Sequence, residues 1–174
     1  PITVGYGATE CAPLITYSDF HDFEKGSCGT PVDYMEVKID SPDPRNTAGE
    51  ILARGTNVML GYYKNQEATD AALDKEGWYH TGDLATMSED GHVFIKGRSK
   101  NILIGASGQN VYPEEIEDKL ASMAVVSECI IVQRNQHLVA LVHPDMDEVK
   151  EMGFTETDLQ NIMEQNRQQL NDMM

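Results

Sequence analysis

Positive charge is scarce in this sequence: 13 lysines and arginines stand against 29 aspartates and glutamates, a formal net charge of −16. The deficit runs the whole length, with 9 cations against 16 acids through Lys100 and 4 against 13 beyond it. Such a field disfavours nonspecific binding to DNA or to an anionic membrane surface. It leaves room for an anionic nucleotide, because a few oriented donors and a bound cation override a diffuse field. Cysteine is scarce too. Cys11, Cys28 and Cys129 form no close pair and lack metal-ligand spacing, so they are expected to be reduced thiols of a cytoplasmic protein. No apolar run approaches the length of a membrane span. The opening PITVGYG has neither the basic region nor the apolar core of a secretion signal, and without an initiating Met it reads as the edge of an excised piece. What is present, 40% apolar and 24% charged residues, suits a globular chain of one domain or two small ones.

Residues 1–98 read as short strands separated by turn chemistry. MEVKID alternates before the proline-rich loop SPDPRNTAGE, and EILARG and NVMLGYY are short apolar runs of strand type. NQEATDAAL predicts a short helix capped by Asn65. GWYHTGDLATMSEDGHVFIKG predicts a strand, a turn at SEDG and a second strand. The expected architecture is a β-rich, distorted barrel-like region. From residue 99 to 174 the pattern changes to a small α+β domain. VYPEEIEDKLASM is helical, with Pro113 in its first turn and Ile116, Leu120 and Met123 on one face. VVSECIIVQ and HLVALVHP are two strands joined across RNQ, and TETDLQNIMEQNRQQLNDMM is a helix capped by Thr155 or Thr157.

Several short stretches carry chemistry with more than one reading. In YHTGDL, Asp83 is an acceptor-only group that suits either two sugar hydroxyls or its own turn backbone. In GYGATE, Glu10 beside Thr9 suits magnesium and phosphate oxygens, or an ordinary surface. In GRSK, Arg98 offers a rigid fork of donors and Lys100 a mobile point charge. GASGQN is a glycine-rich turn without the spacing of a dinucleotide fingerprint or a complete phosphate loop. His80 has no serine or cysteine in elbow context, and the remaining histidines lack zinc spacing. Cys11 follows Glu10 without a positioned base, which makes it a weak nucleophile candidate.

Taken in order, GYGATECAPL, GEILARGTNVMLGYYKNQEAT and GWYHTGDLATMSEDGHVFIKGRSKNILIGASGQNVYPEEIE closely resemble the adenylate-forming enzymes. That superfamily includes acyl-CoA synthetases, peptide-synthetase adenylation domains and luciferases. SGQNVYPEEIE and the tail LQNIMEQNRQQLN look most like the long-chain fatty acid–CoA ligase branch. The resemblance implies that a carboxylate attacks the α-phosphate of ATP, giving an acyl-adenylate and pyrophosphate, and that CoA then takes the acyl group and releases AMP. It implies that Tyr6 packs against adenine, Thr9 contacts phosphate, Glu10 holds Mg2+, Asp83 accepts the ribose hydroxyls and Arg98 contacts the nucleotide. Lys100 would be the hinge of a mobile C-terminal domain, and the loop at Gly108 would approach CoA.

The same resemblance marks residues 1–98 as the last part of a large domain and 99–174 as a truncated small one. The family's upstream phosphate loop and its terminal lysine in a segment like PxxxxGK are absent from the chain, and Ile104 stands where some relatives carry lysine. The expectation is a cytoplasmic parent enzyme, with peripheral contact at the inner membrane face left open, acting on fatty acid, ATP and CoA and not on nucleic acid. The isolated chain is expected to be inactive. Two alternatives stay open: adenylation of another acid with transfer to a carrier-protein thiol, and a noncatalytic nucleotide-binding or interaction module.

Overall fold

The computed structural model describes residues 2–105, 107–135 and 137–173. It divides into two compact units, Pro1–Lys100 and Asn101–Met174, each combining strands with helix.

In the first unit β1 (Val4–Gly7), β2 (Leu14–Ser18) and β3 (Thr30–Pro31) form one antiparallel sheet. A second sheet is a meander of β4 (Met35–Asp40), β5 (Gly49–Gly55), β6 (Tyr79–Met87) and β7 (Val93–Arg98). The alternation of MEVKID is realised in β4, where Met35 and Ile39 are buried while Glu36, Lys38 and Asp40 are exposed. In the central strand β5, Ile51, Leu52 and Ala53 are all buried, so both of its faces are covered. With three and four strands the sheets are too small to close, and no closed barrel forms among the described residues. One core gathers Cys11, Ile15, Met35, Ala53 and Tyr79, and another Cys28, Ile39, Ile51, Ala85 and Val93. Tyr6 packs against both.

Helix α1 (Gln66–Ala72) starts where Asn65 Oδ1 accepts the Ala68 N–H at 3.0 Å. The turn at Ser88–Gly91 joins β6 to β7, closed by the Gly91 N–H on the Ser88 carbonyl at 3.1 Å. NVMLGYY departs from expectation and is an irregular loop. Several of its hydrogen bonds go to the turn at residues 9–14, and among the described residues it joins no ladder. The Asn57 amide donates to the Cys11 and Leu14 carbonyls, and the Met59 N–H donates to the Glu10 carbonyl at 2.7 Å. Its apolar Leu60 is left fully exposed.

The second unit begins with a two-residue pair, β8 (Leu103–Ile104) and β9 (Asn110–Val111), followed by α2 (Pro113–Ala121). Pro113, Glu114 and Glu115 open α2 as their types predict. Ile116 and Leu120 enter a core with Ile131 and Leu170. β10 (Val126–Arg134) and β11 (His137–Pro144) form the expected hairpin, while Gln136 of its RNQ tip lies outside the described residues. A short helix that the sequence reading did not assign, α3 (Met146–Met152), is capped by Asp145 and stopped by Gly153 in the left-handed region. The long α4 (Glu156–Met173) starts from Thr155, not Thr157. The Thr155 hydroxyl accepts the Asp158 N–H and Asp158 accepts the Thr155 N–H in return. No helix among the described residues is long and apolar enough to cross a membrane.

Candidate functional site

The first unit brings three of the expected side chains into one group. Asp83 on β6 lies directly opposite Arg98 on β7, and the Arg98 Nη1 donates to its Oδ1 at 2.6 Å. From β1, in the other sheet, the Tyr6 hydroxyl donates to Oδ2 at 2.6 Å. The Asp83 side chain is only 13% exposed. An ionised carboxylate has about four acceptor positions, so Tyr6 and Arg98 fix its orientation and leave acceptor capacity for two more hydroxyls. Burial first, and then the bond to Asp83, push the Tyr6 phenol far above its ordinary range. The Asp83 bond likewise raises the Arg98 guanidinium, which stays cationic.

Glu10 occupies a single 3-10 turn, Thr9–Cys11, closed by Ala12 in the left-handed region. The Tyr62 hydroxyl donates to its Oε1 at 2.8 Å. That bond, then backbone hydrogen bonding, with smaller help from Tyr79 and the field of Arg98, holds the carboxyl below the usual carboxylate range. Glu10 is therefore ionised and fixed. Among the described residues no three His, Cys, Asp or Glu side chains cluster to cage a metal. A single carboxylate still fits Mg2+, which takes one or two protein carboxylates and completes its shell with phosphate oxygens and water. Thr9 is exposed in the same turn.

The other expected residues lie elsewhere. Lys100 is exposed in the 3-10 turn Ser99–Asn101, at the end of the first unit. Gly108 belongs to the second unit, in the positive-φ region at +83°, with nothing within 4 Å of where a Cβ would stand. Ala106 of the same GASGQN stretch is outside the described residues. The bland readings hold for Cys11, which is fully buried with its thiol pushed up to about 11 by burial. They hold for His80 too, whose Nδ1 lies 3.0 Å from Glu50. An apolar cavity of about 750 Å³ is formed by β11 and α4 of the second unit, with Leu120, Val142, Leu159 and Met163 in its wall, and it holds none of the expected site residues. Sequence reasoning missed Tyr62, Asn57 and Glu50, whose partners lie 30 to 52 positions away and leave no local signal.

Residues 1–63 match the family described as AMP-binding enzyme. The chain is 44% identical over 133 residues to a long-chain-fatty-acid–CoA ligase of Salmonella typhimurium, covering 74% of this chain. The chain belongs to the adenylate-forming enzymes. It spans 23% of the length of that Salmonella ligase. A 4-coumarate–CoA ligase of Glycine max is 37% identical over 163 residues, covering 88% of this chain and 55% of the relative. Among solved structures, the O-succinylbenzoate CoA synthetase of Bacillus subtilis in complex with ATP and magnesium superposes with a TM-score of 0.74 at 28% identity. That match covers 87% of this chain and 35% of the synthetase. The adenylate-forming fold therefore extends over both units and not only over the matched residues 1–63.

Proposed function

We propose that these residues form the ribose and magnesium wall of the nucleotide site in an ATP-dependent acid–thiol ligase, and that the whole enzyme joins a long-chain fatty acid to CoA. The observation that carries the reading is Asp83, held by Tyr6 and Arg98 with acceptor capacity to spare, in a chain 44% identical to a fatty-acid–CoA ligase. In this reading Asp83 binds the ribose hydroxyls, the Tyr6 ring bears on adenine, and Arg98 keeps cationic charge beside the nucleotide. Glu10 would hold Mg2+ with Thr9 beside it on phosphate oxygens, and Tyr62 fixes the Glu10 carboxylate. When bound, Mg2+ supplies positive charge that offsets the developing charge on phosphate. Lys100 would serve as the hinge and Gly108 would admit the CoA arm, as glycine allows close backbone approach.

The proposal includes a cytoplasmic location, and inactivity of these 174 residues in isolation, since they hold neither the phosphate loop nor the PxxxxGK-like lysine segment. A second reading, an aryl acid as substrate, is favoured by the broader match to the 4-coumarate ligase. The test incubates the full-length protein with Mg-ATP, CoA and acids from acetate to oleate plus 4-coumarate, with adenylates and thioesters followed by mass spectrometry. Oleoyl-CoA with AMP supports the first reading, and 4-coumaroyl-CoA the second. Adenylate without thioester points to a carrier-protein acceptor. No adenylate from any acid overturns the enzyme reading, and turnover by the 174-residue chain alone overturns its inactivity.

A further inference from the structure

We infer that Glu50 is a positioning residue for Asp83, acting through the backbone of Gly82; this rests on the ribose reading of Asp83 given above. The need for such a residue is visible in the strand register. On β5, Glu50 pairs with Leu84 and Leu52 with His80, so Thr81, Gly82 and Asp83 stand opposite the single residue Ile51. The extra residues form a bulge. Gly82 takes the positive-φ region at +72°, which turns the chain as it delivers Asp83. A bulge of this size removes backbone donors from the ladder, and each must be satisfied another way.

Two side chains do this. The Thr81 hydroxyl, buried, donates to the Ile51 carbonyl at 2.9 Å and accepts the Asp83 N–H at 3.0 Å. Glu50 Oε1 accepts the Gly82 N–H at 2.9 Å. Its other oxygen, Oε2, lies 3.0 Å from His80 Nδ1, and His80 Nε2 lies 3.9 Å from Asp74. Glu50 is thus gripped at one oxygen and grips the bulge with the other. Tyr6 and Arg98, for their part, hold the Asp83 carboxylate oxygens. The bulge sets where the Asp83 backbone stands, and Tyr6 and Arg98 set where its oxygens point. Misplacement of an aligned group by about 1 Å costs on the order of 100-fold, so the backbone anchor belongs to the binding function as much as the carboxylate does.

The test uses full-length protein carrying Glu50→Ala, Glu50→Gln, His80→Phe or Asp83→Asn. KM and kcat are measured with ATP and with 2′-deoxy-ATP, and hydrogen exchange is followed across Tyr79–Met87. Glu50→Ala is expected to raise KM for ATP about tenfold, with a smaller effect on kcat. It should lose most of the preference for ATP over the deoxynucleotide and speed exchange in the bulge. Glu50→Gln keeps an oxygen for the Gly82 N–H and should restore most of that preference. If Glu50→Ala fails to fold, His80→Phe carries the test, since it frees Oε2 and leaves Oε1, and should show a partial loss. Loss of preference in Asp83→Asn but not in Glu50→Ala or His80→Phe overturns the inference and leaves the ribose reading standing. Full preference retained in Asp83→Asn overturns the ribose reading itself and the inference with it.

Discussion

Tyr6 shows how a single residue ties stability to the site. Its ring packs against both cores of the first unit while its hydroxyl serves Asp83. Burial and the neighbouring carboxylate both favour the neutral phenol, so the folded-state pKa stands above the unfolded value near 10. A raised pKa contributes stability that is fully present below pH 10 and is lost as pH climbs from there toward the folded value. Tyr79 adds to the same trend, raised by burial first and then by Glu10. The unfolding free energy of this chain, read from urea titrations, is therefore expected to fall above pH 10 by about 1.4 kcal/mol per pH unit for each such tyrosine. Tyr6→Phe should cost about 1 kcal/mol at neutral pH, where Asp83 loses a donor, and should flatten the alkaline slope. A slope unchanged by Tyr6→Phe would contradict this account. Tyr6, Glu10, Asp83 and Arg98 were recognisable as candidates because each sits in a short motif of suitable chemistry. Glu50 and Tyr62 were not, because what defines them is a partner 32 or 52 positions away.

At the scale of elements, two glycines with nearly the same φ separate conformation from space. Gly29, at φ +90°, is pressed against β2, and a Cβ there would stand 2.1 Å from the Tyr17 carbonyl carbon. It also helps link the sheets, since the Val93 N–H donates to the Gly29 carbonyl at 3.0 Å and the Cys28 N–H donates to the Val93 carbonyl at 2.9 Å. Gly26, at φ +83°, has nothing within 4 Å of its would-be Cβ. Gly26→Ala should therefore cost only the left-handed strain, about 1 kcal/mol. Gly29→Ala must also push β2 away and should cost about 3 kcal/mol or more. Urea denaturation followed by Trp78 fluorescence reads both, and equal costs would sink the packing argument. Elements with a strong period or cap were legible: β4 by alternation, α2 by its apolar face, and β6 and β7 by their turn. NVMLGYY reads as a strand because an apolar run does not reveal that its Asn57 side chain and Met59 N–H bond a neighbouring turn and not a ladder. Helix α3 carries its capping signals, Asp145, Glu148 and Gly153, and a stripe of Met146, Val149 and Met152, but it is only seven residues long and buries only Val149, too little for the pattern to stand out.

At the scale of the whole molecule, each unit has its own core: Ile15, Ile51 and Val93 belong to the first, and Ile116, Leu120, Ile131 and Leu170 to the second. This follows the change of pattern read near residue 98, from closely spaced strands to helix and hairpin. The signals are also separable, because the one tryptophan, Trp78, lies in the first unit while α2, α3 and α4 supply most of the helix in the second. Trp78 is itself well placed as a reporter, nearly buried and flanked by the Lys38 ammonium at 4.2 Å and the Arg54 guanidinium at 4.4 Å. Leu120 is 3% exposed, and truncating such a side chain costs about 2–5 kcal/mol through lost contacts and the cavity left behind. Leu120→Ala is therefore expected to lower the helical circular-dichroism transition while the unfolding free energy read from Trp78 fluorescence stays within about 0.5 kcal/mol. If both transitions move together, the units unfold as one cooperative body. The hinge role proposed for Lys100 would then have to work against a shared folding free energy.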